Sequence, residues 1–243
     1  MLRQIFHKTA LPLLFLIGAV VLSLVAIERV SGDKERIARL TPKPAPEPQE
    51  PEERCVISCY DKMFKEIGKA HNVDWLLLAA IASVESKFNP KAISKAGATG
   101  LMQIMPSVAK SWGYTPEDMF DERTCVELGA KLLHKINDML SLPNGFNKDE
   151  RLNFILACYN AGYGRIADAR RLARYHGDSS GQWAVVTNYL PLLAEPEYAN
   201  HEAVKSGAFY GSAETIGYVK KVVRVYRDYK QKVAKSASTN DTP

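Results

Sequence analysis

Apolar and polar positions along the chain fall into three regimes. From Thr9 to Ile27 the sequence holds no charged residue and is rich in Leu, Val, Ile and Phe. At about 1.5 Å of helical rise per residue, such a run is just long enough to cross a hydrocarbon core of ~30 Å. A polar stretch follows, and its last part, TPKPAPEPQEP, carries Pro at 42, 44, 46, 48 and 51. That spacing excludes helix and sheet and favours an extended polyproline form, a spacer of roughly 30 Å. Beyond residue 51, helix-period apolar positions alternate with Gly, Pro and Asn breaks and strand signals are nearly absent, so the fold class is all-α.

The helical region is predicted in order. A first helix spans Cys55 to Ala70, with Tyr60, Met63, Phe64 and Ile67 inward. Asn72 or Asp74 caps the next, in which Leu78, Ile81, Glu85 and Phe88 recur at steps of three and four and share one face. Pro106 opens another helix. Asp121 to Leu140 forms a long one, with Cys125, Leu128, Leu132, Ile136 and Met139 inward. After a turn at 143–145, Asp149 caps a helix through Asn160 facing the core with Leu152, Ile155, Leu156 and Tyr159; a further helix runs from Gly164 to Tyr175. Trp183 to Leu193 is apolar enough for the core, and Ser212 caps the last helix. The resulting organisation is a cytoplasmic N-terminus at 1–8, a membrane anchor at 9–27, a juxtamembrane and Pro-rich linker at 28–51, a catalytic domain at 52–233 and a disordered tail at 234–243. Arg3 and Lys8 before the apolar run place the N-terminus in the cytoplasm and the remainder outside it. A cleaved signal peptide is the alternative, with Val30-Ser31-Gly32 as a tolerable cleavage site.

Glu85 is the position where polarity and pattern conflict. Burying a carboxylate among apolar neighbours disfavours its charged form, and the negative end of a helix dipole adds to the effect. Asn89-Pro90, Gly97 and Gly100 break the helix just beyond it. A carboxyl group held protonated near neutral pH is suited to protonating a glycosidic oxygen. The plainer alternative is a glutamate that snorkels to solvent from the edge of a core helix.

Composition changes this picture little. The net charge of +5 is mild and includes no long basic run, which argues against nucleic acid as a partner. Neither an HExxH nor a G-x-x-x-x-G-K-[ST] sequence occurs, and no metal or cofactor is expected. Cys55, Cys59, Cys125 and Cys158 allow one or two disulfides in an exported domain, although the Cys55–Cys59 spacing suits an intrahelical bridge poorly.

ESKFNPKAISKAGATGLMQIMP, from Glu85 to Pro106, resembles the first two motifs of the family 1 (Slt-like) lytic transglycosylases, of the membrane-bound type. CYNAG at Cys158–Gly162 is similar to the third, and Glu214-Thr215 with Tyr218-Val219 to the fourth, in the same order. The resemblance covers roughly Asp61 to Lys232 and implies a lysozyme-like (goose-type/Slt) helical domain that cleaves peptidoglycan glycan strands. It makes Glu85 the catalytic residue, acting first as acid and then as base. It makes Ser86, Gly100, Met102, Gln103, Tyr159, Asn160 and Tyr218 the substrate-binding set: Ser86 supports the site by hydrogen bonding, Asn160 helps hold the sugar's N-acetyl group, and the Tyr218 hydroxyl points at the acid. From the residue itself, Met102 is either an apolar surface for a sugar ring or, equally, core filler. Cys158 stands where the family usually has Ala. Glu214 is better explained as a charge that favours a helix start. The implied product is a 1,6-anhydromuramoyl end, formed in the periplasm by an enzyme held at the inner membrane. A goose-type lysozyme-like hydrolase and a non-catalytic glycan-binding module are the alternatives.

Overall fold

The computed structural model describes residues 55–142 and 145–240. The expected anchor at 9–27, the linker at 28–51 and positions 143–144 of the expected turn lie outside the described residues.

The first helix begins at Asp61, later than the sequence pattern suggests, because the Asp61 carboxylate gathers the chain ahead of it. It accepts the backbone N–H groups of Val56 (2.7 Å), Ile57 (2.9 Å) and Ser58 (2.8 Å) and the Ser58 hydroxyl (3.2 Å). Residues 55–60 therefore wind around this side chain, which is only 3% exposed, and do not extend the helix. Helix α1, Asp61–His71, buries Phe64 and Ile67 and ends at Asn72, whose φ of 52° breaks the helical path.

Helix α2, Trp75–Ser86, is capped by Asp74, which accepts from the Leu76 N–H at 2.9 Å. Leu76, Leu78, Ala79, Ala80, Ile81 and Ala82 are all buried, so this helix runs through the core and does not lie on its surface. It ends abruptly after Ser86. Lys87 and Phe88 both take left-handed backbone angles (φ 56° and 61°), and their N–H groups return to Ser83 and Ala82 carbonyls. Phe88 thus leaves the helix, yet its ring still packs near Phe64 at a centroid distance of 6.2 Å.

The segment 89–105 folds back under α2. Single-residue bridges join Ile93 to Thr99 and Thr99 to Ile104, and no strand forms among the described residues. Helix α3, Pro106–Ser111, starts on its proline as expected. A 3₁₀ turn, Glu117–Phe120, leads to α4, Glu122–Leu140, capped by Asp121. The buried face of α4 is Cys125, Val126, Leu128, Gly129, Ala130 and Leu133. Leu132 and Ile136 are only partly buried and Met139 is 39% exposed, so the inward face is rotated from the one expected. Small residues explain the rotation: a Cβ on Gly129 would stand 2.7 Å from Met102 Cε, so α4 turns its smallest side towards that methionine.

Helix α5, Lys148–Ala161, is capped by Asn147 and not by Asp149; the Asn147 Oδ1 accepts from Asp149 N–H (2.9 Å) and Glu150 N–H (3.0 Å). Its fully buried positions are Phe154, Leu156, Ala157 and Cys158, whereas Leu152, Ile155 and Tyr159 lie at the core's margin. Gly162 (φ 85°) separates it from α6, Tyr163–Tyr175. Helix α7, Trp183–Tyr189, a 3₁₀ turn at Pro191–Ala194 and the short α8, Pro196–Ala199, close that side.

The last helix, α9, is Ser212–Asn240 and lies against α2 and α5. Residues 234–240, expected as disordered tail, continue it. The Ser238 hydroxyl bonds back to the Ala234 carbonyl at 3.0 Å, a local bond that lets serine sit inside a helix. The start of α9 is set by the segment before it. Buried Asp168 of α6, 0% exposed, accepts the Lys205 N–H (2.8 Å) and Ser206 N–H (2.9 Å) and pairs with Arg171. Arg165 donates to the Ser206 and Gly207 carbonyls, and Arg171 to the Ala203 carbonyl at 2.7 Å.

The cysteines form no disulfide: Cys55 and Cys59 are exposed and free, while Cys125 and Cys158 are buried and free. Burial pushes the Cys125 thiol up to about 11 and the Cys158 thiol up to about 12, so both behave as small apolar side chains. Among the described residues no helix is long and apolar enough to cross a membrane.

Candidate active site

Glu85 occupies the last turn of α2, where that helix emerges from the core between α5 and α9. Its carboxyl is partly buried and its pKa is pushed up to about 7. Burial is the main cause; the Tyr218 hydroxyl opposes it, the negative charge of Glu214 adds to it, and the Lys221 ammonium opposes it least. At neutral pH this group is divided between acid and carboxylate. That is the state in which one side chain can both give and take a proton.

Two tyrosines face it. The Tyr159 hydroxyl, at the end of α5, donates to the Met102 carbonyl at 2.8 Å. Tyr218, one turn into α9, is buried, and its hydroxyl finds no acceptor in bonding geometry although it lies beside Glu85. Burial, followed by the negative charge of Glu85, holds both phenols well above their usual range, so both stay protonated. An unpartnered buried hydroxyl beside an acid is uncommon in a folded protein, and it identifies the place where the site's hydrogen bonding is incomplete.

The remaining predicted positions divide into side chains that stay partly exposed, Gln103 and Asn160, and groups that hold the surrounding structure. The Ser86 hydroxyl is buried and lies 3.0 Å from the Ala82 carbonyl and 2.9 Å from the Leu101 carbonyl. It ties the end of α2 to the segment below and offers nothing to a ligand. Met102, open from sequence to contacting a sugar or filling the core, is 0% exposed and packs on Gly129, which is the core role; only its backbone matters to the site, through Tyr159. Gly100 (φ 79°) is a packing glycine: a Cβ there would fall 2.0 Å from the Met119 carbonyl oxygen. Gln103 also has left-handed backbone (φ 49°). Its side-chain amide nitrogen donates to the Gly100 (3.0 Å) and Ala92 (3.2 Å) carbonyls, which leaves its oxygen as the group it can present. Asn160 is half-buried, and its Oδ1 lies 2.8 Å from the Thr215 hydroxyl.

Sequence reasoning missed two positions. Glu214 is exposed in the first turn of α9 and its charge reaches Glu85, so it belongs to the site's electrostatics as well as to the helix start. Thr215 is buried behind Asn160. Both sit inside the fourth motif, and that motif was the available signal. Among the described residues no group of three or more His, Cys, Asp or Glu side chains could hold a metal ion.

An all-helical domain whose core helix ends on a partly buried acid, flanked by the ends of two neighbouring helices, defines a class. Residues 62–180 match the model of the transglycosylase SLT domain, so this part of the chain is a domain of that family. More particularly, it is 35% identical over 167 residues to the membrane-bound lytic murein transglycosylase F of Stutzerimonas stutzeri, covering 69% of this chain and 33% of that protein. It is 38% identical over 154 residues to the protein of the same name from Vibrio campbellii, covering 63% and 28%. The chain thus spans about a third of the length of these curated relatives. Among solved structures it is similar to the 70-kDa soluble lytic transglycosylase SLT70 of Escherichia coli, with 26% identity over 71% of this chain and 24% of that one, at a TM-score of 0.49.

Proposed function

We propose that this protein is a peptidoglycan lytic transglycosylase with a lysozyme-like helical domain, and that Glu85 carries the reaction. The observation behind this reading is the Glu85 carboxyl, raised to about 7 by burial at the open end of α2 and placed beside two phenols that stay protonated. In its acid form Glu85 protonates the oxygen between N-acetylmuramic acid and N-acetylglucosamine. The resulting carboxylate then takes the proton from the muramoyl 6-hydroxyl, which attacks C1 and closes a 1,6-anhydro ring. Holding that hydroxyl next to C1 gives it a large effective concentration over water. The substrate's own 2-acetamido group stabilises the charge that develops at C1. Gln103 and Asn160 supply polar contacts to the sugar, and Tyr218 supplies a hydroxyl for the acid. Ser86, Gly100, Met102 and Tyr159 keep the walls in place.

A second reading has one specific observation in its favour. Glu214 is a second carboxylate close enough to influence Glu85, and most glycosidases use two carboxylates, one of which can activate water. The lysozyme-like hydrolase is therefore the competing assignment. Product masses decide between them. Digestion of purified sacculi should give muropeptides one water lighter than hydrolytic products and without a reducing muramic end. Reducing-end products would move the enzyme to the hydrolase class, and binding without any product would make it a glycan-binding module. Glu85→Gln should lower the rate by roughly 10²–10⁴-fold.

The family resemblance and the uncharged run at 9–27 support a location at the inner membrane, with the Pro-rich stretch spacing the catalytic domain into the periplasm. Recovery of a soluble periplasmic form beginning near Asp33 would contradict the anchor.

A further inference from the structure

Thr215 is 1% exposed, and its hydroxyl stands within bonding distance of two oxygens, Asn160 Oδ1 at 2.8 Å and the Gly211 carbonyl at 3.0 Å. A hydroxyl carries one proton, so it can donate to only one of them. The Gly211 carbonyl already receives the Thr215 backbone N–H at 3.0 Å, the ordinary bond of a first helical turn. Asn160 Oδ1 has no other donor among the described hydrogen bonds, and it is the nearer oxygen. The hydroxyl proton therefore belongs to Asn160.

We infer that Thr215 is a positioning residue that fixes which end of the Asn160 amide faces the cleft. With Oδ1 held by the Thr215 hydroxyl, Nδ2 is turned to the half-exposed side and Asn160 presents N–H donors to a ligand. The group it meets is then a carbonyl acceptor, in keeping with the acetamido contact that the family resemblance already implies for Asn160. Were the amide reversed, Nδ2 would donate to the Thr215 oxygen, the hydroxyl proton would go to Gly211, and the cleft would meet an acceptor that repels such a carbonyl. Because Thr215 sits on α9 and Asn160 on α5, the contact also joins the two helix ends that flank Glu85. This inference rests on the reading of Asn160 as a ligand contact.

The test is a double-mutant cycle in which binding is measured on the Glu85→Gln protein, so that turnover does not interfere. The probe is glycan strands purified from sacculi. Thr215→Val, nearly the same shape without the hydroxyl, should weaken the Kd about fivefold to tenfold, the size of one hydrogen bond. Thr215→Ser should restore most of it. In an Asn160→Ala background, Thr215→Val should change the Kd less than about twofold, since its effect runs through Asn160. On the otherwise wild-type enzyme, Thr215→Val should raise KM more than it lowers kcat. Asn160→Asp, which replaces the donor by an acceptor, should bind worse than Asn160→Ala. A Thr215→Val effect of equal size with and without Asn160 would overturn the proposal and leave Thr215 a packing residue. So would Asn160→Asp binding as well as wild type. If Asn160→Ala alone left binding unchanged, or the parent did not bind the strands, the reading of the site would fall and the inference with it.

Discussion

Asp168 and Glu85 are buried or partly buried carboxylates on helices of the same domain, and their surroundings differ in kind. Asp168, fully enclosed, is met by two backbone N–H groups and the Arg171 guanidinium. Asp61, at the start of α1, is likewise met by three backbone N–H groups and a hydroxyl. Glu85 has no such set. It lies at the C-terminal end of its helix, where backbone carbonyls and not N–H groups come free, and a second carboxylate bears on it. Burial alone therefore does not distinguish a carboxylate that holds the fold from the acid proposed to handle protons. The supply of donors does.

Breaking the well-supplied side gives the largest expected effect. Asp168→Ala would strand two N–H groups and the arginine, and should cost about 3–5 kcal/mol in urea unfolding. It should also loosen residues 203–207 ahead of α9, and with them the placement of Thr215 and Tyr218. A loss within ~0.5 kcal/mol would mean that the enclosed carboxylate is not what fixes that segment.

Replacing Glu85 should act in the opposite direction, and only over part of the pH range. In the unfolded chain the group ionises near 4.5, and in the folded protein near 7. Between those values the folded state holds the extra proton, so stability should fall as pH rises through that window and be lowest above it. Glu85→Gln removes that slope. The difference between the two proteins across the window, discounted for partial exposure, is on the order of 2 kcal/mol. Parallel pH dependence in both proteins would contradict the assignment.

The smallest effect sharpens the comparison from within the site. Tyr218 favours the Glu85 carboxylate, although its hydroxyl makes no aligned hydrogen bond. Tyr218→Phe should leave the fold nearly as stable as before and move the alkaline limb of the activity profile upward by a fraction of a pH unit. A downward shift would mean that the hydroxyl does not favour the Glu85 carboxylate.

Much of this arrangement was legible in the sequence, for identifiable reasons. The step of three and four around Leu78, Ile81 and Glu85 marks one helical face, and the Asn-Pro and Gly breaks place Glu85 at the end of that helix. The ordered motifs bring α5 and α9 to it. What periodicity missed came from side chains acting on backbone at a distance along the chain. The Asp61 carboxylate draws residues 56–58 out of the helix their pattern suggests, and Asn147 takes the cap expected of Asp149. Ser86 and Met102 fall within site motifs yet face the protein, because a motif records that residues are needed and not which way they point. The inward face of α4 depends on Gly129 fitting around Met102, a contact between segments that no single helix pattern contains.

Glu85, lacking the donors that surround Asp61 and Asp168, should hold its proton to neutral pH. Carbon NMR of the glutamate-labelled protein, with the Glu85 carboxyl assigned by its absence from Glu85→Gln, measures this directly. A titration midpoint near 7 is expected in the free protein. A midpoint close to the ordinary value of 4.5 would contradict it.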